Sequence, residues 1–274
     1  MASAWKNYPG WLLTASRGAG VPSVYYDDPV QGPGIRNCSC IAAMSSIAWV
    51  YPAAITSALN NLTNVAFNGG IASVTSQLWL DDSNNFTYAR SAESAQKEIW
   101  PALYEKAYAK FAMNDRDSNP LPEPNMGLTA AQWGTPGTTP LGLMMPGWNV
   151  DNKVVDKNNS AANLNQISAW CAALPGVNVL KFPAVAWSTA DPAMSHTFSI
   201  LGIYNNNIVI RDPLRPANAP AGAVTGVTLN LNKPSYNHGA AGAVVAQPLI
   251  LSNGTYGVSA DYFKANFYGY GRVY

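Results

Sequence analysis

Residues 31–50 read QGPGIRNCSCIAAMSSIAWV: a turn broken by Gly and Pro, then an unbroken stretch of small and apolar residues that opens on Asn37 and Cys38. Ile41, Met44, Ile47 and Ala48 share one helical face and Asn37 is a residue type that caps helix starts, so the spacing predicts a helix over 38–50. The first turn of a helix presents N–H groups and the positive end of the aligned peptide dipoles, which stabilise a thiolate. Cys38 is therefore the candidate nucleophile, and its other reading is a small buried residue. Cys40 points about 200° around the same helix and would face elsewhere. Cys171 falls on the apolar face of a second predicted helix in SAANLNQISAWCAALPG, residues 160–176, and reads as structural.

The 274 residues are 48% hydrophobic and only 11% charged, with a formal net charge of +1. No Lys/Arg cluster follows a face or segment, which excludes the electrostatic footprint of a nucleic-acid binder. No apolar run approaches the roughly 20 residues of a membrane span. The opening MASAWKNYPGWLL lacks the regions of a signal peptide, whereas low charge and Asn-x-Ser/Thr triplets at Asn37, Asn61, Asn85, Asn158 and Asn253 lean toward export, so localisation stays open. Three cysteines leave at least one thiol without an intramolecular partner, and Cys40 with Cys171 is one pairing left open. With two histidines and neither CxxC nor HExxH, the sequence argues against a zinc centre.

The chain reads as one α+β unit over 1–274: a helical half at about 20–114, a Pro- and Gly-rich loop region at about 115–150, and a strand-rich half at about 151–274. PALYEKAYAKF predicts a helix with Pro101 at its first position, and SADYFKANF a short one near the end. VLKFPAVAW, HTFSILGIY, NIVIRD, GVTLNL and AVVAQPLIL predict strands. HTFSILGIY and NIVIRD are joined through Asn205 and Asn206, which tolerate the positive φ of a tight hairpin and would bring His196 beside Asp212 at its open end. A carboxylate there fixes the imidazole tautomer and favours the imidazolium that a thiolate needs. His238, in the Gly-rich KPSYNHGAAGA, reads as a solvated loop residue.

These residues resemble the calpain family of cysteine peptidases. QGPGIRNCSCIAAMSSIA is similar to its nucleophile segment; SAESAQKEIWPALYEKAYAK, preceded by LWLDD, to its most specific internal stretch; SHTFSILGI followed by IVIRDP to its His segment and Arg-Asn-Pro segment; SADYFKANF is a fainter echo. The resemblance runs from about Asp28 to Phe267. It implies a papain-like fold with the active site between a helical lobe and an antiparallel β lobe, and an endopeptidase acting on proteins or peptides through Cys38, His196 and Asp212. It also implies that Gln31 donates to the oxyanion beside the Cys38 N–H. Asp212 stands where the family has Asn, Leu214 where it has a shielding Trp, Ser195 where it has Gly, and Gln31 lies one residue farther from the cysteine. The chemistry needs no cofactor. Calcium enters by likeness alone: Asp28 and Glu98 match acidic ligands of the helical lobe or are two surface acids, while DPLRPANAP lacks those of the β lobe. The alternatives are a calpain-like binding module without activity and a transglutaminase-like acyl transferase; nothing in the sequence fixes an oligomeric state.

Overall fold

The computed structural model describes residues 4–6, 12–32, 36–80, 89–91, 98–112, 137–191 and 195–274. Of the expected loop region, residues 115–136 lie outside them, as does Asn85. Seven strands form one antiparallel sheet: β1 (Val150–Val154), β2 (Cys171–Leu174), β3 (Val177–Trp187), β4 (Thr197–Tyr204), β5 (Asn207–Arg211), β6 (Thr255–Val258) and β7 (Gly269–Val273). Their order is β6-β5-β4-β3-β7-β1, with β2 folded back on the first residues of β3. The β4–β5 turn is the one expected: Asn205 and Asn206 adopt φ of 47° and 59°, and Tyr204 pairs with Asn207. Helices and antiparallel strands together bear out the α+β class.

Against this sheet lies α1, Cys38–Val50. The expected single apolar face is corrected: every residue after Cys38 is buried, as in a helix enclosed on all sides. Its polar groups are matched one by one. Ser46 Oγ accepts from Ala184 N on β3 at 2.7 Å, and Ser199 Oγ on β4 donates to Ala42 O at 2.8 Å. The β4 register shifts between Ile200 and Gly202, and the Leu201 carbonyl at that bulge accepts from the Trp49 indole at 2.6 Å. Only glycine fits next to it, since a Cβ on Gly202 would lie 2.2 Å from Asn178 O. The helical side is completed by α2 (Pro52–Leu59), which the sequence reading missed, and α3 (Trp100–Ala112), where Pro101 is the second residue.

Other expectations change. The helix expected over SAANLNQISAWCAALPG ends early: α5 is Ser160–Ala169, capped by Asn159, and Cys171–Leu174 is strand β2, turned back by Pro175 and Gly176 (φ 79°) onto β3. The loop region contains α4, Thr139–Met144, and leads into β1. AVVAQPLIL divides at Pro248 into the ends of strands Ala240–Ala246 and Leu249–Leu251, because proline cannot donate to a ladder. Asn232–Asn237 pairs with Ala240–Ala246, so His238 tops a hairpin, and its ring stacks on Trp148 at 4.0 Å. SADYFKANF forms α6, Ala260–Asn266, capped by Ser259. No single helix among the described residues is long and apolar enough to cross a membrane. Asn37 is fully buried, which closes the glycosylation triplet there, whereas Asn61, Asn158 and Asn253 are exposed.

The C-terminal end of α1 receives a buried cation. Lys233 is wholly enclosed, donates to Trp49 O and lies 4.4 Å over the Trp49 ring. Burial pushes its ammonium down from 10.5 to about 7. Between those values the folded chain binds fewer protons than the unfolded one, so stability rises with pH through that window; below it the cost of the buried charge is present in full. In urea unfolding, the stability difference between wild type and Lys233→Met is expected to be constant below pH 7. From about pH 7.5 to 10 it should grow in favour of wild type by up to about 1.4 kcal/mol per pH unit. A difference independent of pH would contradict this.

Candidate active site

Cys38 opens α1, and His196 immediately precedes β4, the strand α1 packs on. His196 Nε2 lies 2.8 Å from Asp212 Oδ1, one residue past β5. A carboxylate only accepts, so Nε2 carries the hydrogen and Nδ1 is the nitrogen left for the hydrogen bond that His196 makes with the Cys38 thiol. Cys38 Sγ is also 3.7 Å from Ser195 O, and the Thr197 N–H and hydroxyl hydrogen-bond to it. Thr197 was not singled out from the sequence, although as the neighbour of His196 on a strand start it was within reach. Three side chains expected to meet are therefore together: Cys38, His196 and Asp212.

Their charges support one another. Burial opposes a Cys38 thiolate, but the hydrogen bond and charge of His196, then the Thr197 donors, outweigh it and hold the thiol below its usual value. The helix dipole contributes about 0.3–1 kcal/mol, less than one pKa unit, so His196 carries the larger part. Burial likewise disfavours the imidazolium, yet the bonds to Asp212 and Cys38 raise His196 to about 9. The other two thiols behave oppositely. Burial, then Glu105 and Cys38, pushes the Cys40 thiol up, and burial raises Cys171 to about 12 against the pull of Lys181. All three cysteines are free, so Cys40 and Cys171 do not pair.

The surroundings fix the triad. Phe198, two residues along β4 and so on the same face, packs edge-on against the His196 ring at 4.6 Å and is backed by Phe267 at 5.1 Å. Leu214 is 55% exposed, so its side chain shields little, but its N–H donates to Asp212 Oδ1 at 2.9 Å. The Gln31 N–H donates to Pro213 O at 2.9 Å, which ties that residue to the turn following Asp212. Arg211, fully buried one residue before Asp212, reaches Asp27 Oδ1 (3.1 Å), Asp27 O (2.8 Å), Pro29 O (2.6 Å) and, on α1, Ser45 Oγ (2.8 Å).

Asp28 and Glu98 are not surface acids; both are buried. Their oxygens accept from the Arg17 guanidinium, from Tyr25 N and Trp100 Nε1 at Asp28, and from Ala15 N at Glu98. Burial, then Glu98, raises Asp28 to about 7 in spite of Arg17. Calcium needs 6–8 oxygen ligands. A pair of carboxylates that converge on a guanidinium and three further N–H donors does not fit that ion.

Iodoacetamide at pH 7 is expected to modify Cys38 alone, one adduct per chain by intact mass, with Cys40 and Cys171 reacting only after unfolding. Adducts at Cys171 before Cys38 would contradict the ordering of the thiols. Compared with known proteins, the chain matches no protein-family model and no curated sequence.

Proposed function

We propose that this chain is a cysteine endopeptidase of calpain-like, papain-like type, cleaving proteins or peptides between a helical lobe bearing Cys38 and a β lobe bearing His196 and Asp212. The observation that carries the reading is a thiol at a helix start, hydrogen-bonded to an imidazole whose far nitrogen lies 2.8 Å from a carboxylate. The pair favours thiolate and imidazolium, because Cys38 is held below its usual value and His196 is raised to about 9.

The thiolate adds to the scissile carbonyl carbon, and the oxygen becomes an oxyanion facing the Cys38 N–H and the Gln31 carboxamide. His196 Nδ1–H gives its proton to the departing amine, leaving an acyl-enzyme and a neutral imidazole. That imidazole takes a proton from water, whose oxygen attacks the thioester; the acid leaves, and thiolate and imidazolium are restored. Asp212 keeps its negative charge throughout, holding the ring and stabilising the imidazolium. No step draws on a metal. Asp28 and Glu98 belong to an ion cluster with Arg17, so calcium is not assigned a role.

A peptide library incubated with the protein, with and without a chelator, tests the proposal. Cleavage should survive chelation and vanish in Cys38→Ala. The rate constant kcat/KM should fall above about pH 9 as His196 loses its proton, and Asp212→Ala should move that limb to lower pH with at least about a tenfold loss at pH 7. Cleavage retained in Cys38→Ala would end the reading. A ligated product on adding an amine acceptor would favour acyl transfer, and absence of both products would favour a binding module.

A further inference from the structure

We infer that Glu105 is a positioning residue for the nucleophile: it draws the Asn37 carboxamide off the end of α1, so that no capping oxygen lies where the oxyanion develops its charge. This inference rests on the peptidase reading.

Asn37 occupies the cap position of α1, and its carbonyl accepts from Ile41 N at 3.1 Å, so the helix begins there. An Asn in that place ordinarily turns its side-chain oxygen onto the N–H groups of the first turn. The same chain does so elsewhere: Asn159 Oδ1 accepts from Ala162 N on α5 at 3.1 Å, and Ser259 Oγ from Tyr262 N on α6 at 3.1 Å. At α1 there is no such bond. Asn37 Nδ2 instead donates to Glu105 Oε1, from α3, while Glu105 Oε2 accepts from Ala89 N at 2.6 Å. Both side chains are fully buried, and Asn37 Oδ1 is left without a hydrogen-bond partner among the described residues.

A buried oxygen without a partner is costly, and capping would satisfy it. It stays unsatisfied because a hydrogen bond to an ionised carboxylate is roughly twice as strong as one between neutral groups. With its side chain held by Glu105 and its carbonyl by Ile41 N, Asn37 fixes the peptide whose N–H belongs to Cys38. The charge of Glu105 works the other way. A carboxylate near the helix start disfavours a thiolate, so its presence there is explained by the hydrogen bond it makes and not by its field.

The test compares wild type, Glu105→Gln and Glu105→Leu in three assays. These are cleavage of one peptide, inhibition by the matching peptide aldehyde, whose hemithioacetal oxygen probes the oxyanion position, and iodoacetamide labelling of Cys38 across pH, which reads the thiolate alone. Glu105→Leu is expected to lower kcat about 10- to 100-fold and weaken the aldehyde by a similar factor, with KM within about twofold and labelling not slowed. Glu105→Gln, which can still accept from Asn37, should restore most of the loss. Wild-type kcat and aldehyde affinity in the Leu variant would overturn the inference, as would labelling slowed as much as cleavage. Should Glu105→Leu fail to fold, Asn37→Ser, whose short hydroxyl caps but cannot span to Glu105, should show the same split, and wild-type behaviour there would overturn it equally. A wild type that labels at Cys38 but cleaves no peptide would defeat the peptidase reading instead.

Discussion

One buried guanidinium joins the parts of this protein that must meet. Arg211 closes strand β5, and its nitrogens reach Ser45 on α1 and three oxygens of the 27–29 segment that leads to Gln31. A fully desolvated cation is expensive unless its donors are matched, and here each end of the fork finds oxygen. The consequence is geometric. Ser45 lies seven residues beyond Cys38, roughly two helical turns, and Asp212 follows Arg211 directly, so fixing the guanidinium fixes where the Cys38 thiol and the Asp212 carboxylate lie relative to each other. A lysine could not do this, because a single ammonium lacks the planar fork that serves two directions at once.

The helix so held is electrostatically consistent from end to end. At its N-terminus lies a thiol held below its usual value; at its C-terminus the Lys233 amine donates to Trp49 O and the Gln247 amide to Ala48 O. Negative charge at the first turn and donors at the last both complement the peptide dipoles. The serines within α1 would ordinarily weaken a helix interior. Here Ser45 and Ser46 accept from Arg211 and Ala184 N, so the polar residues of CIAAMSSIAWV dock the helix in one rotational setting.

What could be read in the sequence was what depends on neighbours along the chain. The start of α1 at Cys38, the Asn205–Asn206 turn and the meeting of His196 with Asp212 follow from apolar spacing, turn residues and strand length. What depends on distant partners could not. Cys171–Leu174 looked helical because its small residues carry no strong preference, and its pairing with Val177–Leu180 made it a strand. Gly269–Val273 has neither alternation nor branched residues enough to announce a strand, yet it lies inside the sheet between β3 and β1. Asn37 was read as a side-chain cap, because its competitor is Glu105, 68 residues away. Asp28 and Glu98 showed no trace of Arg17, whose bond to Glu98 spans 81 residues.

The low charge of the chain takes on a different meaning in the fold. Among its 16 Lys/Arg and 15 Asp/Glu, Asp28, Glu98, Glu105, Lys106, Arg211, Asp212 and Lys233 are all buried. Lys106 donates to Thr75 and Gln77 backbone oxygens, Glu105 takes Asn37 and Ala89, Asp212 takes His196 and Leu214. These buried ionisable side chains join distant segments, where a hydrogen bond to a charged group is strong and directional because water is excluded. A fold joined this way responds to protons at its interior: burial, then Glu98, raises Asp28 to about 7, and burial lowers Lys233, which donates to the last turn of α1, to about 7, so pH acts on these buried contacts as well as on the thiol–imidazole pair.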